Sequence, residues 1–157
     1  MELFVSAFSR QFPAARFNVI RPGYTFGDPV AAGASMENDK RFKNICGLAK
    51  QGKPIEVNAG DGTQFIWAGH LAKLYKAVLS SAERNEVFYG LSRIFVTWEE
   101  VASEAVKLCG SGSRIIVKGR AGKPHLFCMD KIRKHFGLSF DPRPKLREHL
   151  QYLLEHA

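Results

Sequence analysis

The stretch NVIRPGYTFGDP, residues 18–29, opens on the β-branched pair Val19 and Ile20. It then packs two prolines, two glycines and two aromatic rings into its last nine positions. Apolar residues that end abruptly in Pro-Gly read as a buried strand leaving a sheet, here residues 16–22 with its exit at Pro22 and Gly23. A loop so rich in turn-forming residues either lies over a ligand or seats Tyr24 and Phe26 in a core, and the residues themselves leave both open.

Working outward from that strand, Leu3, Phe4, Ala7, Phe8 and Phe12 recur at three- and four-residue spacing, so the chain begins with an amphipathic helix that Pro13 ends. Downstream, Phe42, Ile45, Cys46 and Ala49 line one face of a second helix stopped by Gly52. PIEVN (residues 54–58) and QFIWA (64–68) read as short strands around a tight GDG turn. Leu71, Leu74, Val78 and Leu79 mark a third helix, and EVFYGL (86–91) another strand. Thr97 and Glu100 form a capping box ahead of a helix that turns Val101, Ala105 and Leu108 inward. RIIVK (114–118) is a strand. Met129, Ile132 and Phe136 give a short helix closed by Gly137, and Leu146, Leu150, Leu153 and Leu154 a last one after DPRP. Strand and helix alternate throughout, which assigns the chain to the α/β class.

At 157 residues with 45% hydrophobic content the chain is long enough for one real core. It has no apolar run of membrane-spanning length and no signal-peptide pattern, so a cytoplasmic protein with no membrane partner is expected. Cys46, Cys109 and Cys128 stand far apart without a CxxC pair and read as free, mostly buried thiols. No His or Cys spacing suits a metal, and none is expected. The net charge of +8 concentrates between Arg114 and Arg147, where a solvated basic face is favoured over a nucleic-acid surface because no helix-turn-helix, RNP-like motif or zinc finger accompanies it.

Three sequence patterns would carry chemistry. GSGS (110–113) precedes a strand, so it cannot place a dinucleotide phosphate on a helix N-terminus, and GDG (60–62) is a turn. No tyrosine is followed four residues later by lysine, and no GxSxG elbow occurs. No catalytic residue is therefore assigned.

The segments taken in order resemble the NAD-dependent epimerase/dehydratase family, the extended branch of the short-chain dehydrogenase/reductase superfamily. NVIRPGYTFGDP resembles the family's "lRpgnvyGp", and GLAKQGKPIEVNAGDGTQFIWAGHLAKLYKAVL its "l..G.pi.v.GdG.q.rdfiyvdDla.a...al". EVFYGLSRIFVTWEEVASEAVKLCG resembles "evynvgs...vt..elaeai.e..g", and DKIRKHFGLSFDPRPKLREHLQYL "skir.elGw.P...l.eglr..l.yl". The likeness runs over essentially the whole chain and places it in the C-terminal half of the family.

The resemblance implies the C-terminal part of a Rossmann-like parallel sheet, carried by residues 1–35 and 69–91, and a small α/β substrate-binding subdomain, 36–68 and 92–157. The cofactor half, with its glycine fingerprint and Tyr-x-x-x-Lys pair, would lie upstream. NAD or NADP serves the intact family, and no cofactor is expected on this chain alone. By carry-over, Pro22, Gly23 and Tyr24 lie against the nicotinamide. Tyr24, Thr25, Arg41, Phe42, Pro54, Glu56, Asn58 and Gln64 lie against a nucleoside-diphosphate sugar, with residues 54–58 flanking base and ribose and Arg41 as a bidentate donor. The family's diphosphate-clamping arginine is missing near Gln64, His70 stands for a usual aspartate, Cys128 for another, and Tyr24 for a common asparagine. The chain is thus expected to supply a sugar-nucleotide pocket without turnover, its partner a missing N-terminal half or a second copy. A non-catalytic module pairing through an exposed sheet edge, and a basic nucleic-acid binder, are the alternatives.

Overall fold

The computed structural model describes residues 2–29 and 39–156. Six helices and eight short strands follow one another there in mixed α/β order. The first helix, α1 (Glu2–Gln11), leads into strand β1 (Asn18–Pro22), which pairs in parallel with β6 (Glu86–Gly90), Ile20 opposite Phe88. After the Pro22-Gly23 exit a two-residue strand β2 (Thr25–Phe26) pairs in parallel with β5 (Ile66–Trp67). Strand β3 (Ile55–Asn58) pairs in parallel with β8 (Ile115–Lys118), while β4 (Gly62–Thr63) and β7 (Val96–Thr97) form an antiparallel bridge. Each pairing is two strands wide.

The remaining helices sort the core into two clusters. Helices α2 (Arg41–Lys50) and α4 (Trp98–Cys109) pack on β3, and α6 (Arg143–His156) packs on both helices, around Phe42, Cys46, Ala49, Val101, Ala105 and Leu150. Helix α3 (Ala68–Ser80) and α5 (Asp130–Phe136) close a smaller cluster of Leu74, Val78, Phe88 and Ile132. No helix among the described residues is long and apolar enough to cross a membrane.

Local rules set most boundaries. The Thr97 hydroxyl accepts from the Glu100 backbone N–H while the Glu100 carboxylate accepts from that of Thr97, the reciprocal pair that opens α4. Gly110 and Gly137 end α4 and α5 at φ of 63° and 65°, a conformation that costs a side-chain-bearing residue.

Other boundaries moved. Of QFIWA only Ile66 and Trp67 are strand: the Gln64 amide and Phe65 ring turn into the interior, and Ala68 already begins α3. The first strand starts at Asn18, because the Phe17 carbonyl is taken by the Asn85 N–H instead of a ladder. Strands β2, β4 and β7 were not expected; each exists only through its tertiary partner. Leu79, expected inward, is exposed because Leu74 and Val78 take the face of α3 that meets the core. Of the three thiols only Cys46 is buried; Cys109 is half-buried, and Cys128 is exposed on the extended segment leading into α5. Much of the late basic charge is paired: Lys131 with Glu86, Arg133 with Asp130, Arg143 with Asp141, Lys145 with Glu148 and Arg147 with Glu104.

Candidate functional site

The outward face of β3, the start of α2 and the start of α4 enclose an open pocket of about 470 Å³. On β3 the residues alternate, Ile55 and Val57 buried and Glu56 and Asn58 exposed, so the strand presents two polar groups in a row to the cavity. Arg41 and Asn44 come from the first turn of α2, one helical turn apart, and Asp61 from the GDG turn. Pro54, Ile45 and Leu48 make the wall, and Trp98 the floor.

Arg41 is held from several sides. The Asp39 carboxylate accepts from the Arg41 backbone N–H at 2.9 Å and from its Nε at 2.7 Å, which satisfies the first amide of α2 and fixes the side chain together. The guanidinium lies 4.2 Å from the Trp98 ring centroid, and Asp61 is 3.6 Å away on the other side. The hydrogen bond from Arg41 holds the Asp39 carboxyl below the ordinary carboxylate range, and the Tyr24 hydroxyl adds to it. Asp39 in turn raises the Arg41 guanidinium, so the pair stays ionic at every ordinary pH.

Trp98 is nearly sealed beneath Arg41. Its ring meets Phe42 at 5.0 Å, Phe65 at 5.1 Å and Tyr24 at 5.7 Å, all edge-to-face. The Trp98 backbone N–H donates to the Asp61 carbonyl at 2.8 Å, which ties the GDG turn to the first turn of α4. At the far rim Glu56 is paired with Lys118 at 2.5 Å.

Four of the residues expected from sequence therefore share one cavity: Arg41, Pro54, Glu56 and Asn58. Tyr24 and Phe42 lie under it in the aromatic cluster, with Phe42 fully buried. The others stand elsewhere. Pro22 ends β1, and Thr25 is exposed, its hydroxyl donating to the Gly23 carbonyl. Gly23 has a packing reason to lack a side chain, since a Cβ there would meet Leu91 Cδ2 at 1.8 Å. Gln64 is buried, donating to the Ser92 and Phe127 carbonyls and accepting from the Phe127 N–H. Its amide is spent on holding the segment before α5.

Asn44, Asp61 and Trp98 were missed. Asn44 carried a signal in its three-residue offset from Arg41, and Trp98 in its position beside the capping box. Asp61 is brought in by the β4–β7 bridge.

No protein-family model and no curated protein matches the chain. Solved structures do. UDP-glucuronic acid 4-epimerase from Bacillus cereus, solved with UDP-glucuronic acid and NAD, superposes with a TM-score of 0.74 at 13% identity over 99% of this chain. The fold is shared with nucleotide-sugar epimerases and dehydratases. UDP-glucose 4-epimerase from Thermotoga maritima, solved with UDP-glucose, gives 0.69 at 15% identity over 99% of the chain. The dTDP-glucose 4,6-dehydratase from Bacillus anthracis, solved with NAD, gives 0.72 at 14% over 98%. This chain covers 50%, 50% and 49% of those three epimerase and dehydratase chains, about half their length.

Proposed function

We propose that this chain is the substrate-binding, C-terminal portion of an NAD(P)-dependent nucleoside-diphosphate-sugar epimerase or dehydratase, and that the pocket on β3 takes the nucleoside end of the substrate. The observation that carries the proposal is the convergence of Arg41, Glu56, Asn58 and Pro54 on one cavity, over a fold shared with enzymes solved with such substrates.

The chemistry of the lining supports the nucleoside end over a bare phosphate. Arg41 is already offset by Asp39 and Asp61, so the pocket offers little uncompensated positive charge. It offers instead a wall of Pro54, Ile45 and Leu48 for a flat base, the Asn44 and Asn58 amides for its polar edge, and the Glu56 carboxylate for ribose hydroxyls. Arg41 at the mouth would meet the first phosphate as a bidentate donor once Asp61 yields. Pro22, Gly23 and Tyr24 would face the nicotinamide, and Thr25 the sugar diphosphate, in the complete enzyme. The chain has neither the glycine fingerprint nor a Tyr-x-x-x-Lys pair, so by itself it would bind without turning over. NAD or NADP would be held by the rest of the enzyme.

The test is a titration of the chain with UDP and UDP-glucose followed by ¹H–¹⁵N correlation spectra. Saturable shifts of the Trp98 indole and of the amides of residues 55–58 are expected, weak in affinity and weaker by about tenfold in Arg41→Ala. NAD reduction by the chain in the presence of UDP-glucose would overturn the assignment of a non-catalytic part.

A further inference from the structure

The charges around the β3 pocket are not those of a plain phosphate site. Two cations, Arg41 and Lys118, stand against three carboxylates, Asp39, Glu56 and Asp61. In a chain of net charge +8, the cavity that would receive an anion is ringed by an excess of negative charge. Glu56 and Lys118 neutralise each other at the far rim, so the imbalance is set at Arg41.

Asp39 and Asp61 act on Arg41 in different ways. Asp39 Oδ2 lies 2.7 Å from Nε and 2.6 Å from Nη2, which closes one edge of the guanidinium. Nη1 is left over. Asp61 Oδ2 stands 3.6 Å from it, too far for a hydrogen bond and close enough for charge to be felt. A carboxylate that served only to orient Arg41 would hydrogen-bond it, as Asp39 does. Asp61 instead faces the space that a phosphate oxygen bonding to Nη1 would enter.

Nor can Asp61 withdraw with its turn. Its N–H donates to the Asn58 carbonyl at 3.1 Å, and its carbonyl accepts from the Trp98 backbone N–H at 2.8 Å. Gly62, next to it, is paired with Thr97 across the β4–β7 bridge. The backbone is fixed on both sides, so only rotation of the half-exposed side chain moves the carboxylate, and its charge stays beside the mouth of the pocket.

We propose that Asp61 is a built-in competitor of the ligand phosphate, which makes the pocket select nucleotides with esterified, singly charged phosphates, as in a nucleoside-diphosphate sugar, over free nucleoside di- and triphosphates. The inference rests on the reading of the β3 pocket as the nucleoside site. A diphosphate esterified at both ends carries a single charge on each phosphate, whereas a free di- or triphosphate ends in a group that is largely dianionic at neutral pH. Added phosphate charge is drawn to Arg41 and repelled by Asp39 and Asp61, so it gains no affinity, and the repulsion supplies the discrimination.

The test is a titration of the chain and of Asp61→Asn with UDP-glucose, UDP and UTP at low salt, without divalent cations, read at the Trp98 indole. The chain should bind UDP and UTP no more tightly than UDP-glucose. In Asp61→Asn the affinity for UTP relative to UDP-glucose should rise roughly fivefold, with UDP between the two. Asp61→Ser, also neutral and at home in a turn, should give the same rise, and Arg41→Ala combined with Asp61→Asn should lose it. An unchanged ratio in both neutral variants, or weaker UDP-glucose binding in both, would make Asp61 a group that only orients Arg41 and would overturn the proposal. So would a parent chain that prefers UTP to UDP-glucose. If UDP-glucose does not shift Trp98 in the parent, the reading of the pocket falls and this inference with it; if it does and the ratio stays fixed, this inference falls alone.

Discussion

The Arg41 guanidinium carbon lies over the Trp98 ring, 4.2 Å from its centroid, while Asp39 holds the group from one side at 2.6 Å. Each partner restricts Arg41 in a different direction, so a long side chain that loses much rotamer entropy on binding is largely ordered beforehand. Arg41→Ala should weaken UDP-glucose binding by about tenfold, roughly 1.4 kcal/mol, measured by calorimetry or NMR titration. Thermal stability should move little, because the ion pair is half-exposed. Arg41→Lys should not restore affinity, since an ammonium cannot lie flat on the indole and fork to two oxygens.

The α4 cap places Trp98 one residue beyond Thr97. Thr97→Ala removes one half of the capping box and should cost about 1 kcal/mol, read from urea denaturation. It should also broaden the Trp98 indole resonance, because the first turn of α4 frays where it carries the pocket floor. Thr97→Ser keeps the acceptor oxygen and should behave like the parent.

Gly62 stands where β4 meets β7. A Cβ there would approach the Val96 carbonyl oxygen at 2.3 Å and Thr97 Cα at 2.6 Å, both backbone atoms that cannot rotate away. Gly62→Ala should therefore cost about 1–3 kcal/mol, as overpacking does, seen as a lowered denaturation midpoint. Gly112→Ala, with nothing near its Cβ position, should be close to neutral.

His70 gives a pH dependence of definite sign. It stacks on Phe140 at 4.8 Å, and burial, then the nearby Lys73 and Lys145, push its imidazole below its ordinary pKa. Above that ordinary value, about 6.5, the ring is neutral folded or unfolded, and stability is unaffected. As pH falls below it, the unfolded chain takes up a proton first, so stability declines until pH passes the lower folded-state value. Denaturation midpoints between pH 7.5 and 5 should fall less steeply for His70→Gln than for the parent. An identical slope would remove His70 as the cause.

Helices were more legible than strands, and the reason is local. Gly110 and Gly137 stop their helices at positive φ whatever surrounds them, and Thr97 with Glu100 caps α4 using residues within one turn. The two-residue strands β2, β4, β5 and β7 draw on no such local rule; they exist because Ile66 bonds back to Tyr24 and Asp61 to Trp98. The pocket divides in the same way. Arg41, Glu56 and Asn58 were implied by the family resemblance alone, and the structure brings them to one cavity. Trp98 was not, because the contact that makes it a floor crosses from residue 41 to residue 98 and is set by the aromatic cluster beneath. Gln64 showed the reverse: its position suggested a ligand, and its buried amide turned out to hold the Phe127 backbone.

The single most direct measurement is the chemical-shift map of the chain on titration with UDP-glucose. Saturable shifts confined to Trp98, Arg41 and residues 55–58, needing about tenfold more ligand in Arg41→Ala, are expected if the β3 pocket receives the nucleoside end of a sugar nucleotide. No saturable shift at millimolar ligand, or shifts centred on another surface, would contradict it.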